Sequence, residues 1–321
     1  MRLAAIFLPG PLGVMRISFP GALPYLKSAL SSALAVIVVC SVTAQDSPGS
    51  EKSARVTLTY MGTASWEISD GKTVILIDPY LSRILAPLPG TGSAASGRVP
   101  GDTRPEHRWN DVVPPDVATI DAHIHHADFV LVTRTQNVMR AYSVPEDQLI
   151  TVRGGEDYEF GKFSLKVIPS IHSPLAHKHY FSSAKVPDGV KAPLTLEQMN
   201  PEGGTLAYLI RLDGHQILAF GGNNYIEREM EGLKPDVVLV GAGPSRKEIY
   251  DYTGRLMRAL HFPSLVLPTH WDNFVAPYSA SQQPAIDALQ PFLQEITAAS
   301  PKTKVIVPKY FEPIVLDSTS H

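Results

Sequence analysis

One cysteine in 321 residues, Cys40, leaves the chain no internal disulfide and no cluster of thiolate metal ligands. Neither sign of charge dominates: 28 Lys and Arg stand against 31 Asp and Glu, for a formal charge of -3. With no basic run, this balance excludes the electrostatic footprint of a nucleic-acid partner. The Gly-x-Ser-x-Gly elbow of serine hydrolases and the P-loop of nucleotide binders are both missing. What is present is an ordinary globular composition, 44% hydrophobic and 18% charged, with ample apolar material for a core.

The N-terminus differs in kind. Lys27 precedes SALSSALAVIVVCSVTAQDS, an apolar run closed by Val42-Thr43-Ala44. A basic residue, a short apolar stretch and small residues at the end are the parts of a secretory signal peptide. Residues 1–44 are therefore expected to be a signal cleaved after Ala44, with Met1 or Met15 as the start, and the product to be exported, periplasmic or secreted. The run is too short to span a bilayer comfortably, so no membrane span is expected after cleavage. Cys40 sits beside valine and would leave with the signal. Any metal site in the mature chain must then be built from histidine, carboxylate and water.

Residues 45–54 are polar and read as a flexible lead-in; one domain is expected over 55–316. RVTLTY (55–60), ASWEIS (64–69) and TVILID (73–78) are short β-rich runs punctuated by Gly62 and Asp70-Gly71, the pattern of hairpin-connected strands. From Pro87 to Pro115 the composition shifts to Gly, Pro, Ser and Ala, which predicts a long surface loop folding over the domain, with Trp109 as a docking or packing point. Further strands are expected at 129–133, 148–152, 163–170, 206–212 and 216–220. Three continuous apolar runs, 236–240, 264–268 and 304–308, suit strands buried on both faces. Helical patterns cover 245–260 and 284–299. A β-rich first half and an alternating second half fit two packed sheets with helices outside.

Chemistry-bearing residues gather at strand ends. His172 follows one strand, and His270 follows another with Trp271 and Asp272 behind it. Gly221-Gly222-Asn223-Asn224 closes a third. Polar groups presented by rigid strand ends are the usual raw material of an active site. His177 and His179, in LAHKHYF, have a spacing that can chelate a metal or can face solvent or substrate. His123, His125 and His126 precede the strand at 129–133 and should lie at its other end. Glu156 and Asp157 read as solvated turn acids.

VTLTYMGTASWEISDGKTVILIDPYLSR (56–83), VIPSIHSP (167–174), NNYIEREMEGLKPDVVLVGAG (223–243) and LVLPTHWDNF (265–274) together resemble the metallo-β-lactamase superfamily, in the branch of the ascorbate-6-phosphate-lactonase-like hydrolases. The resemblance spans about 55–316. It implies an α/β fold, an αββα sandwich, with zinc or manganese at one sheet edge. It also implies hydrolysis of an ester, lactone or phosphoester by metal-bound hydroxide. On this resemblance His172 and His270 match metal ligands, and Asn223 and Asn224 lie where many members carry a bridging aspartate. Asp78 and Asp272 would support the site from behind.

The family's main ligand cluster, His-x-His-x-Asp-His, should begin at position 134, where the chain reads RTQNVMRAYSVPEDQ. The residues after Thr133 resemble the family sequence beyond the cluster, its helix and one more short strand. The expectation is an internal deletion of roughly two dozen residues, one strand-plus-helix unit, with 134–148 left as a minimal crossover to the next strand. Zinc takes three protein ligands at a catalytic site, and two matched histidines remain. The chain is thus expected to be an impaired or inactive hydrolase, or a non-catalytic remnant binding a small-molecule ligand or a partner through the same cleft.

Overall fold

A computed structural model describes residues 55–86, 98–133, 136–174, 178, 188–199 and 205–316, together with the backbone of 4–7. Two seven-stranded sheets organise the chain. The first runs β14-β2-β3-β4-β5-β1-β6, from β1 (Ala4–Phe7), β2 (Thr57–Gly62), β3 (Ser65–Ser69), β4 (Val74–Ile77), β5 (Phe129–Val132), β6 (Leu149–Val152) and β14 (Pro313–Val315). The second runs β13-β12-β11-β10-β9-β8-β7, from β7 (Asp157–Glu159), β8 (Phe163–Ser170), β9 (Thr205–Leu212), β10 (His215–Phe220), β11 (Val237–Gly241), β12 (Leu265–Thr269) and β13 (Lys304–Val305).

Alternation along β2 and β3 turns Leu58, Tyr60, Trp66 and Ile68 inward, where they join Leu165, Val167, Tyr208, Ile210 and Leu218 of the second sheet in one core. Each such fully buried apolar side chain contributes about 1.5–3 kcal/mol. β10, β11 and β12 are parallel, and every residue of β11 is buried, as expected of a strand covered on both faces. Helices α4 (Tyr252–Ala259) and α5 (Gln283–Ala299) pack on each other and contribute Leu256, Met257, Phe292 and Ile296 to the core. This is the αββα arrangement. No helix among the described residues is long and apolar enough to cross a membrane.

Several sequence expectations are corrected. The helical pattern at 245–260 is two pieces, a 3₁₀ turn over Pro244–Glu248 and then α4, because Asp251 takes a left-handed φ of 40° between them. The run at 304–308 pairs only through Lys304 and Val305 at the sheet edge, and Pro308 has no N–H with which to prolong a ladder. Residues 134–148 do cross from β5 to β6, through α2 (Gln136–Ala141) and a 3₁₀ turn at Glu146–Gln148. The two strands are not neighbours, however: β1 lies between them. A short helix not expected from the sequence, α1 (Val117–His123), is capped by Asp116, whose carboxylate accepts from Thr119 N. Of the N-terminal expectations, only residues 4–7 fall among those described; Met15, Cys40 and Ala44 lie outside them.

Candidate functional site

The end of β5 is held from three sides. Asp78, at the end of β4 with a φ of 40°, accepts from Thr133 N at 2.9 Å and from Thr133 Oγ1 at 2.6 Å. From β9 the Tyr208 hydroxyl donates to Val132 O at 2.6 Å, and burial pushes that phenol well above its usual range, with Asp78 adding to the shift. Gly221, at the end of β10, lies so close that a Cβ there would sit 2.5 Å from Thr133 Cγ2. Only glycine permits this contact between the two sheets. Thr133 is itself fully buried, and α2 begins at Gln136.

His172 emerges from β8. Its Nδ1 faces Ser173 O at 2.9 Å, and an imidazole donating there keeps its lone pair on Nε2. Ser173 Oγ accepts from Asn223 N at 2.6 Å, which ties the His172 loop to the turn after β10. Both asparagine amides are engaged. Asn223 accepts Gly243 N at 3.1 Å and donates to Ser245 Oγ at 3.0 Å. Asn224 accepts Tyr225 N at 2.9 Å and donates to His172 O at 3.3 Å. They act as staples between loops. His177 and His179 lie outside the described residues.

His270 follows β12 in a left-handed conformation, φ 54°, and donates its amide to Thr63 O at 2.7 Å. Thr63 is also left-handed, φ 58°, a conformation that a β-branched residue adopts only under constraint. The constraint is Asp272. Its Oδ1 accepts Thr63 N at 2.9 Å and the Tyr60 hydroxyl at 2.7 Å. Its Oδ2 accepts Arg83 Nη1 at 2.7 Å and the Tyr310 hydroxyl at 2.8 Å. Arg83 is 3% exposed, also donates to Ala276 O and Asn273 O, and lies over the Tyr278 ring. Burial opposes ionisation of Asp272, but the Arg83 charge and these hydrogen bonds outweigh it and hold the carboxyl below its usual range. Burial, reinforced by Asp272, pushes Tyr60 and Tyr310 up.

Sequence reasoning found Asp272 but missed Arg83, Tyr60, Thr63 and Tyr310, which lie 38 to 212 positions away from it. One sequence signal was available. Gly62, φ 96°, is the close-approach residue against which Arg83 Nη1 packs. Of the histidines ahead of β5, His126 meets Asp128 at 3.1 Å beside the start of the strand, whereas His123 stacks on Phe311, next to Tyr310.

Two segments pair. Leu196 N and Glu197 N, in α3 (Leu196–Met199), donate to Asp111 O and Trp109 O, and Val112 bridges Thr195. Beside the His270 loop, Arg104 donates to Val275 O at 2.7 Å and to Arg83 O. At the C-terminal end of α2, Ala192 N donates to Ala141 O. The described part of the long loop, 98–115, is therefore tied to the His270 side through Arg104 and to the 188–199 segment through Trp109 and Asp111.

The family model for the beta-lactamase superfamily domain matches residues 57–270, two thirds of the chain. The chain belongs to the metallo-β-lactamase superfamily. This superfamily chain is similar to solved structures at low identity. A metallo hydrolase from the archaeon Ignicoccus hospitalis is 16% identical, with 82% of this chain and 99% of that one covered and a TM-score of 0.46. An isothiocyanate hydrolase from Delia radicum gut bacteria is 16% identical, covering 82% and 100% with a TM-score of 0.45. CmlA, a diiron β-hydroxylase from Streptomyces venezuelae, is 15% identical, covering 81% of this chain and 54% of that one with a TM-score of 0.44. No curated protein matches the sequence.

The superfamily's chemistry depends on a bound metal, and the described residues do not fit one. Among them no three His, Cys, Asp or Glu side chains lie together as a metal-holding group. Asp78, which on the family pattern supports the site, holds Thr133.

Proposed function

We propose that this superfamily member does not perform metal-hydroxide hydrolysis of an ester, lactone or phosphoester, and that its cleft serves to bind a small molecule or a partner. One observation carries this reading. Between the end of β5 at Val132 and the start of α2 at Gln136 stand only Thr133, Arg134 and Thr135. None is a histidine or carboxylate, and a catalytic zinc or manganese ion needs about three protein donors. His172 and His270 remain as the family-matched pair, and the asparagines beside them are occupied with backbone. The binding role rests on the retained framework: the buried lock under His270 and the paired loop segments tied to the His270 side and to α2.

Purified protein equilibrated with excess zinc or manganese and then desalted is expected to carry well under one metal per chain by mass spectrometry. His172→Ala and His270→Ala should leave that content unchanged. Hydrolysis of generic lactone, ester and phosphoester substrates should stay at the buffer rate. Stoichiometric metal that is lost in both variants would instead establish a rebuilt centre.

A further inference from the structure

The place of β1 in the first sheet bears on how the shortened chain holds together. β5 has β4 on one side and β1 on the other, and among the described residues β6 has no ladder partner except β1. Since β1 is antiparallel to both, β5 and β6 run parallel to each other with one strand between them. Adjacent strands lie about 4.8 Å apart, so these two are separated by about 10 Å, too far to pair directly. The described residues between β5 and β6 supply helix and turn but no strand, so the ladder positions between the two are taken by β1 alone. Unpaired backbone groups on two interior edges would each demand a partner.

We propose that the gap between β5 and β6 is a strand-acceptor slot whose occupant is this chain's own N-terminal segment, Ala4–Phe7. The register is continuous on both sides. Ala5 faces Val132 and Thr151, Ile6 faces Leu131 and Ile150, and Phe7 faces Val130 and Leu149. Recognition is by main-chain hydrogen bonding, the mode by which an extended peptide completes a sheet. Cleavage after Ala44 would cut the tether of this strand, and loss of the freed segment would empty the slot and leave β6 without its partner. This inference concerns sheet completion and stands whether or not the cleft holds metal.

The test uses the full chain. In a Cys40→Ser background, Ala5→Cys combined with Thr151→Cys places two thiols on facing positions, within disulfide reach of each other. Mild oxidation is expected to give an intramolecular bond by non-reducing peptide mapping, whereas Ala5→Cys with Leu149→Cys, two residues out of register, stays reduced. Separately, Ile6→Pro in the otherwise intact chain should make the amides of 129–132 and 149–152 exchange with deuterium about ten-fold faster or more, because proline disrupts a ladder on a central strand. The amides of β9 and β10 should keep their protection. Absence of the in-register crosslink, equal crosslinking of both pairs, or unchanged exchange in Ile6→Pro would overturn the proposal.

Discussion

Two strand ends carry positions of the family pattern, and each is fixed by a buried or half-buried aspartate. At the end of β5, Asp78 gives both carboxylate oxygens to Thr133, and the chain then turns into α2. At the end of β12, Asp272 gives its oxygens to Arg83, Tyr60, Tyr310 and Thr63 N, and so fixes the strained turn that receives His270. The second arrangement still presents the side chain that the family pattern places there. The first presents none. Asp78 stabilises the strand end on its own, through its two hydrogen bonds to Thr133, without any ligand cluster beyond it.

The largest test of this contrast is the buried pair. Asp272→Ala strands the Arg83 guanidinium without its counter-charge and is expected to destabilise the fold by about 3–5 kcal/mol in chemical denaturation. Replacing Arg83 and Asp272 together by apolar residues of similar volume should cost less than Asp272→Ala alone. An additive double variant would break the picture of a coupled lock. Gly221→Ala comes next. It forces a methyl group onto Thr133 and should cost about 1–3 kcal/mol, with the β5 end the first region to lose amide protection.

Asp78→Ala removes two hydrogen bonds from Thr133 and should cost about 2 kcal/mol while leaving metal content as low as in the parent. An equal loss for Asp78→Ala and Asp272→Ala would erase the distinction between the two strand ends.

The pH dependence is set at its acid end by Asp272. Its folded value lies below its unfolded one, so its contribution is present above about pH 4 and is lost as pH falls through the lower folded value. Tyr60 and Tyr310 act in the opposite direction. Their folded values are raised, so their contribution is full below about pH 10 and is lost as pH rises through the folded values. Stability followed by fluorescence should fall at both extremes, and the apolar double variant should show a weaker acid limb, the remainder coming from Asp102, Asp116, Glu146 and Asp157, whose values are also held down. The smallest effect is expected at His172. Its ring makes a local bond to the adjacent Ser173 O, so His172→Ala should change stability by no more than about 1 kcal/mol.

Much of the fold is legible in the sequence because hydrophobic period reports burial directly. The pattern places β8 at its observed bounds, and β11 and β12 to within one residue, since a strand covered on both faces leaves an unbroken apolar run. The split at Asp251 is not legible, because amphipathic period continues through a single left-handed residue that only packing enforces. At the site, His172, His270 and Asp272 stand out as polar residues at strand ends. Arg83 and Tyr310 do not, because their meaning lies in contacts across long stretches of sequence.

The sequence by itself determined the family, the two-layer architecture and the missing histidines after Thr133, all properties of local pattern and residue identity. Only the tertiary structure decided that Asn223 and Asn224 are loop staples, that Arg83 sits beneath His270's turn, and that β5 and β6 are kept one strand apart. These depend on which backbone groups meet across the sheets. Hydrogen-bonding partners are chosen by three-dimensional proximity, which no window of neighbouring residues records.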